Sequence, residues 1–103
     1  MLRETENEFL SWVVDLARLC HWEVWHQLRS KGTAWGFPDL LLIRRTYMEE
    51  GEGVERIWAE LKSERGNLTP EQDDLLEALR DCGDEVYVWW PSDRPAIEER
   101  LKG

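Results

Sequence analysis

Arg56-Ile57-Trp58-Ala59-Glu60-Leu61-Lys62 decides the fold. Its residues alternate, so Ile57, Ala59 and Leu61 face one side of a strand while Glu60 and Lys62 share the other. The apolar side belongs on a core, and the side carrying an acid and a base together belongs to a cleft or to the surface. An exposed cross-strand ion pair is the plain reading of that polar side. Upstream, Pro38-Asp39 leads into Leu40-Leu41-Leu42-Ile43, a continuous apolar run expected as a central strand buried on both faces. Tyr47 to Glu55, between the two, holds four Glu and two Gly and reads as an exposed hairpin loop.

Outward from this centre, Thr5 and Glu8 form a capping box. Phe9, Val13, Leu16, Ala17 and Cys20 then recur at helical spacing as one apolar face, which Glu6 continues at its N-terminal end. Trp22-Glu23-Val24-Trp25-His26-Gln27-Leu28 is rich in β-formers and reads as a strand, and Arg29 to Phe37 is a basic, Gly-containing loop. A further loop covers Ser63 to Leu68. Thr69-Pro70-Glu71-Gln72 supplies an N-cap, a Pro at the first helical position and a capping-box Gln. Leu75, Leu76, Leu79 and Cys82 are the expected buried face of that helix, and Gly83 stops it. Glu85-Val86-Tyr87-Val88-Trp89-Trp90 is a last strand ended by Pro91, and a short helix is expected over Pro95 to Leu101. The order αβββαβ makes an α/β sandwich the simplest architecture.

The 103 residues fit one domain, and 42% apolar residues suffice for its core. Most of the seven tryptophans are expected in that core or at an interface. No stretch approaches the ~20 apolar residues of a membrane span. Met1-Leu2-Arg3-Glu4-Thr5-Glu6 carries no apolar signal segment, so a cytoplasmic protein is expected. Cys20 and Cys82, both at apolar helical positions, are expected as buried free thiols rather than a disulfide. The net charge of −9 opposes nucleic-acid binding, which Lys and Arg drive. Its distribution weakens that objection. Seven acids against Arg80 give residues 71–91 about −6 and five acids against Arg56 give residues 47–61 about −4, whereas four bases against two acids leave residues 23–46 at about +2.

Asp39 stands where a loop enters a buried strand, and an acid there needs hydrogen bonds or a cation. Taken alone it is a turn-capping Asp after Pro. Together with Glu60 and Lys62 it matches the demands of phosphodiester hydrolysis, in which a divalent cation polarises the phosphate and lowers the pKa of a water. Hard cations take carboxylate and carbonyl oxygens, which Asp39, Glu60 and the Leu61 carbonyl could provide. Lys62 could orient the attacking hydroxide or stabilise charge on the phosphorane. A zinc site from Cys20, His21, His26 and Cys82 lacks compact ligand spacing.

Gly36-Phe37-Pro38-Asp39-Leu40, Ala59-Glu60-Leu61-Lys62-Ser63-Glu64-Arg65-Gly66, Leu68-Thr69-Pro70-Glu71-Gln72 and Val86-Tyr87-Val88-Trp89-Trp90-Pro91-Ser92-Asp93 resemble, in order, the virus-type replication-repair nuclease (VRR-NUC) domain of the PD-(D/E)xK superfamily. The resemblance runs from about Thr5 to Asp93. It implies an α/β, restriction-endonuclease-like αβββαβ core, with a central mixed four-stranded sheet flanked by helices, filling residues 1–103 as one nuclease domain. It also implies a Mg²⁺- or Mn²⁺-dependent endonuclease hydrolysing DNA, with branched, Holliday-junction-like DNA as the expected substrate and a homodimer as the expected assembly. Stand-alone members occur largely in phages and bacteria. Asp39, Glu60 and Lys62 fall on the family's catalytic positions. The acid expected on the first helix near the metal falls on Glu6, and the helical face favours Glu6 over Glu8. Gln72 matches the family's glutamine after Thr-Pro. It turns inward with Leu75 and Leu76, and its bland role is the cap partner of Thr69. His26 and Ser30 fall where polar residues line the family's site, although a packed strand histidine suits His26 equally. Arg29, Lys31 and Arg65 are the accompanying DNA-binding candidates. The chain departs from the pattern at His21, where Gly is usual, at Trp35, where smaller residues are usual, and in the long acidic Tyr47–Glu55 segment. Flap, nicked or single-stranded DNA is an alternative substrate, and a non-catalytic DNA-binding or assembly module is an alternative function.

Overall fold

Helix α1 (Glu6–Leu19) begins on the expected box: Glu8 N donates to Thr5 Oγ1 at 3.1 Å, and Thr5 N donates back to Glu8 Oε1 at 3.3 Å. It is followed by β1 (Glu23–His26), β2 (Leu40–Met48), β3 (Gly51–Leu61), α2 (Pro70–Asp81), β4 (Glu85–Trp89), a 3-10 turn (Pro91–Asp93) and α3 (Arg94–Lys102). The structure, a computed structural model, describes residues 5–26 and 36–103, apart from the side chain of Met48. Its sheet runs β1-β2-β3-β4, antiparallel across the first two pairings and parallel between β3 and β4. A parallel step needs a crossover connection, and α2 lies in that connection. The result is an α/β fold with a mixed four-stranded sheet flanked by helices.

Register sets the faces. Leu40 pairs with Ala59 and Leu42 with Ile57, all four fully buried on the face covered by α1 and α3. Phe9, Val13, Ala17, Ile97 and Leu101 close this core from the helices. Truncating a side chain of this kind, such as Phe9, to Ala costs about 3–5 kcal/mol. The opposite face is covered less evenly. Leu76 of α2 and Val86 of β4 are buried outside the main cluster, while Leu41 and Ile43 are only half-buried. The expectation that β2 is buried on both faces therefore holds for one face alone. In α2 only Leu76 is fully buried, and Leu75 and Leu79 are partly so.

Tyr47 to Glu55 is a β-ribbon rather than a loop. Register pairs continue from Arg44↔Glu55 to Met48↔Gly51, leaving Glu49 and Glu50 as the turn. Of the acids that resemble a solvated loop, Glu55 is accommodated by pairing, since Arg44 Nε donates to its Oε2 at 2.9 Å, and Gly51 takes the positive φ, +128°, beside the turn.

Both long helices end in the same hydrogen-bond pattern. At α2, Gly83 N donates to Arg80 O and Asp84 N to Leu79 O; at α1, His21 N donates to Arg18 O and Trp22 N to Ala17 O. This Schellman arrangement requires a left-handed residue, met by Gly83 at φ +90° and by His21 at φ +69°. Cys20 and Cys82 are the cap residues just before these turns. Both are free, as expected, but Cys20 is only half-buried and Cys82 is exposed, because a cap residue follows the last turn that faces the core.

A polar cluster fixes α3. Leu101 O accepts from Trp22 Nε1 at 3.0 Å and from Arg44 Nη1 at 2.9 Å, and the Arg44 guanidinium lies 4.3 Å from the Trp22 ring centroid. Arg100 Nη2 donates to Glu85 Oε1 at 2.9 Å and to Glu55 Oε1 at 3.1 Å. Hydrogen bonding from Arg100 holds the Glu85 carboxyl below its ordinary range, and the same contact pushes the Arg100 guanidinium up. No helix among the described residues is long and apolar enough to cross a membrane.

Candidate functional site

Asp39 sits one step beyond the last β2–β3 pair, Leu40↔Ala59, which brings it opposite Glu60. Its Oδ2 accepts the Leu61 N–H at 2.8 Å, so a side chain continues the ladder where the strand has ended. Glycine positions this segment. A Cβ on Gly36, at φ +82°, would lie 2.6 Å from Glu71 O and 3.0 Å from Gln72 N, so the backbone before Asp39 rests directly on the first turn of α2. Pro38, directly before Asp39, is fully buried.

Glu60 and Lys62 alternate with the core residues of β3, as their spacing predicts, yet they do not form an exposed pair. Glu60 is 1% exposed and Lys62 7%. Glu60 stands beside Val88 and Leu61 beside Trp89 in the parallel register, and Lys62 N donates to Trp89 O at 2.9 Å. Lys62 Nζ donates to Gln72 Oε1 at 2.8 Å. That oxygen also accepts the Thr69 N–H at 2.9 Å, while Gln72 N donates to Thr69 Oγ1 at 3.1 Å. Gln72 thus fills both roles read for it, the cap and the inward-facing group. The loop after Lys62 is held from the segment that follows β4: Trp90 Nε1 donates to Gly66 O at 2.8 Å, and Ser92 N to Glu64 Oε2 at 3.3 Å.

Beside this polar group lies a cleft of about 310 Å³ whose lining includes Trp25, His26, Phe37, Asp39, Leu41 and Trp58. Trp25 pairs with Leu41 and Leu41 with Trp58, so the three form a row across β1, β2 and β3 on the face that carries Glu60. Phe37 meets Trp58 edge-on, with ring centroids 5.8 Å apart. Trp58 is pinned by Nε1 donating to Asp84 Oδ2 at 2.8 Å, and Asp84 also pairs with Arg56. These bonds, Trp58 first, hold the Asp84 carboxyl below its ordinary range. The reading of single elements missed this aromatic row. The available signal was that Trp25 and Trp58 alternate with the core-facing Val24, Ile57 and Ala59 of their own strands.

The remaining candidates disperse. Glu6, at the first position of α1, is half-buried, and Arg65 is exposed in the loop after Lys62. His26 is exposed at the end of β1, at the cleft. Arg29, Ser30 and Lys31, together with Gln27, Leu28 and Trp35, lie outside the described residues. Among the described residues no three His, Cys, Asp or Glu side chains form a group that could hold a metal ion, so Glu6 does not join Asp39 and Glu60 in a three-carboxylate cluster. The two carboxylates that the register sets opposite one another, Asp39 and Glu60, offer hard oxygens of the type Mg²⁺ prefers. Comparison with models of known protein families, with curated proteins and with solved structures finds no match to this chain.

Proposed function

We propose that the chain is a metal-dependent DNA endonuclease of the PD-(D/E)xK type, similar to VRR-NUC domains, with its elements forming a restriction-endonuclease-like αβββαβ core. One observation carries this reading: Asp39 and Glu60 stand at facing ends of paired strands, and Lys62 follows Glu60 on the same face, buried and bonded to Gln72. In the proposed role Asp39, Glu60 and the Leu61 carbonyl hold Mg²⁺ or Mn²⁺. A carboxylate buried as deeply as Glu60 is stable in its charged form only against donors or a cation, and a divalent ion is one such counter-charge. The cation would supply charge neutralisation at the scissile phosphate. The Leu61 N–H orients Asp39, and Gln72 aims Lys62 Nζ at the charge that develops on the phosphate oxygens. Glu6 is left out of this set.

Branched DNA is the proposed substrate and a homodimer the proposed assembly, because a two-fold axis presents two sites to like strands. The proposed setting is the cytoplasm of a bacterial or phage-infected cell. A non-catalytic DNA-binding or assembly module is the second reading, favoured by the net charge of −9.

The test is cleavage of linear duplex, flap, nicked and four-way-junction DNA at one ionic strength, with Mg²⁺, Mn²⁺ or EDTA. Cleavage is expected only with metal, and Lys62→Met, which keeps the buried volume, is expected to abolish it with an unchanged circular-dichroism spectrum. Unchanged cleavage by Lys62→Met overturns the mechanism. Binding without cleavage of any substrate favours the second reading.

A further inference from the structure

We propose that the aromatic cleft beside Asp39 receives one unpaired nucleobase of a DNA strand. The inference rests on the nuclease reading of the neighbouring carboxylates and names what selects the substrate there.

Three rings from three segments converge on one small space: Trp25 from β1, Phe37 from the stretch before β2, and Trp58 from β3. At about 310 Å³ the cleft lies at the small end of ligand sites, suited to one planar group rather than to a peptide or a helix. Two of its rings are offered to solvent, with Trp25 61% and Phe37 38% exposed, while Trp58 is fixed from behind by Asp84. A rigid floor with accessible walls is the construction of a stacking platform, and bases of every kind have a face that stacks on such rings.

Register then ties the cleft to the carboxylates. Trp25, Leu41 and Trp58 form one row across the sheet, and Asp39 and Glu60 begin the next row on the same face. Rows two residues apart along a strand are separated by about 6.6 Å. A nucleotide spans that reach between its base and its own phosphate. A base seated in the cleft therefore brings its backbone to Asp39 and Glu60.

The chain is strongly acidic, so phosphate contacts alone are a weak source of affinity. Stacking supplies affinity that net charge does not oppose. A base inside a continuous duplex must first be unpaired and unstacked, whereas one in a flap, gap or single-stranded tail is already free. Among branched substrates the cleft thus favours those with an unpaired nucleotide at the cutting position, such as flaps, over fully paired junctions.

The test uses the whole chain with Ca²⁺ in place of Mg²⁺ and measures fluorescence anisotropy of two labelled strands. One is an oligothymidylate of about twelve nucleotides, within the usual site size, and the other is an abasic deoxyribose-phosphate strand of equal length. The oligothymidylate is expected to bind about tenfold more tightly than the abasic strand. Trp25→Ala, at an exposed edge-strand position, should erase that difference and leave abasic binding unchanged, while Trp25→Phe should keep most of it. Phe37→Ala provides a second variant should Trp25→Ala fail to fold. Equal binding of the two strands by the unmodified chain, binding of neither, or an unchanged preference in Trp25→Ala overturns the proposal. So does loss of self-association in Trp25→Ala with base preference intact, which makes the cleft a contact between copies. A clear base preference without metal-dependent cleavage would refute the nuclease reading alone, and cleavage without base preference would refute only the stacking cleft.

Discussion

Lys62 Nζ donates to Gln72 Oε1 at 2.8 Å, and the same oxygen caps α2 by accepting from Thr69 N. One amide oxygen therefore couples a helix N-terminus to the buried lysine of the candidate site. Gln72→Ala should cost about 1 kcal/mol from the lost cap, and more if Lys62 finds no other acceptor. On the proposed nuclease reading, it should also lower kcat about tenfold by loosening the position of Lys62, while changing KM little. Gln72→Glu keeps an acceptor in place and should retain most of the stability. Urea denaturation and steady-state cleavage check both, and a wild-type kcat in Gln72→Ala would remove Gln72 from the site.

Gly36 and Gly83 both take positive φ, but in different surroundings. A Cβ at Gly36 meets the backbone of Glu71, whereas one at Gly83 meets nothing within 4 Å. Gly83→Ala should cost only the left-handed penalty, about 1–2 kcal/mol. Gly36→Ala adds a steric clash that no side-chain rotation relieves, and should cost more. It should also displace Asp39 and suppress cleavage, which Gly83→Ala should not. Equal destabilisation in the two variants would contradict the close packing of Gly36 on α2.

His21 occupies the left-handed position after α1 with a full side chain, at φ +69°. Glycine there relieves about 1–2 kcal/mol of strain and returns about 0.5–1 kcal/mol as added unfolded-chain entropy. His21→Gly should stabilise the fold by about 0.5–1 kcal/mol. The check is the urea midpoint, and a lower midpoint would show that the His21 side chain makes a compensating contact.

Acid should weaken the fold through Glu85 and Asp84. Hydrogen bonds from Arg100 lower the folded-state value of Glu85, and those from Trp58 and Arg56 lower that of Asp84. A carboxyl lowered in this way adds stability above its unfolded value, 4.5 for Glu85 and 3.8 for Asp84, and loses it as pH falls through the folded value. The thermal midpoint should hold from neutral pH to about 5 and then fall. Glu85→Gln should lower the midpoint at neutral pH and flatten the acid slope. An unchanged slope would mean that the Arg100 contact contributes little, as for many solvent-screened ion pairs.

The parts legible in sequence are those set by local rules. Both capping boxes, the stop at Gly83, the alternation of β3 and the entry of Asp39 into β2 follow from residues within a few positions of one another. What escaped depends on pairing across strands. Glu55 resembles one more acid in a solvated loop until β2 places Arg44 opposite it. Trp25 and Trp58 look like two more core tryptophans until register sets them in one row beside Leu41. Glu6 illustrates the reverse limit. A helical face specifies a direction, but the distance from that face to Asp39 and Glu60 depends on how α1 packs on the sheet.

The bonds of the candidate site join residues only 22 and 10 positions apart, Asp39 with Leu61 and Lys62 with Gln72, whereas the bond from Trp22 to Leu101 spans 79. Closing the longest of these loops costs about 2 kcal/mol more chain entropy than closing the shortest. The β2–β3–α2 segment should therefore assemble early, and α3 should dock last. In native-state hydrogen exchange the amides of α3 should open with less free energy than those of β3. The carboxylates and their lysine would then keep their arrangement through openings that release the end of the chain.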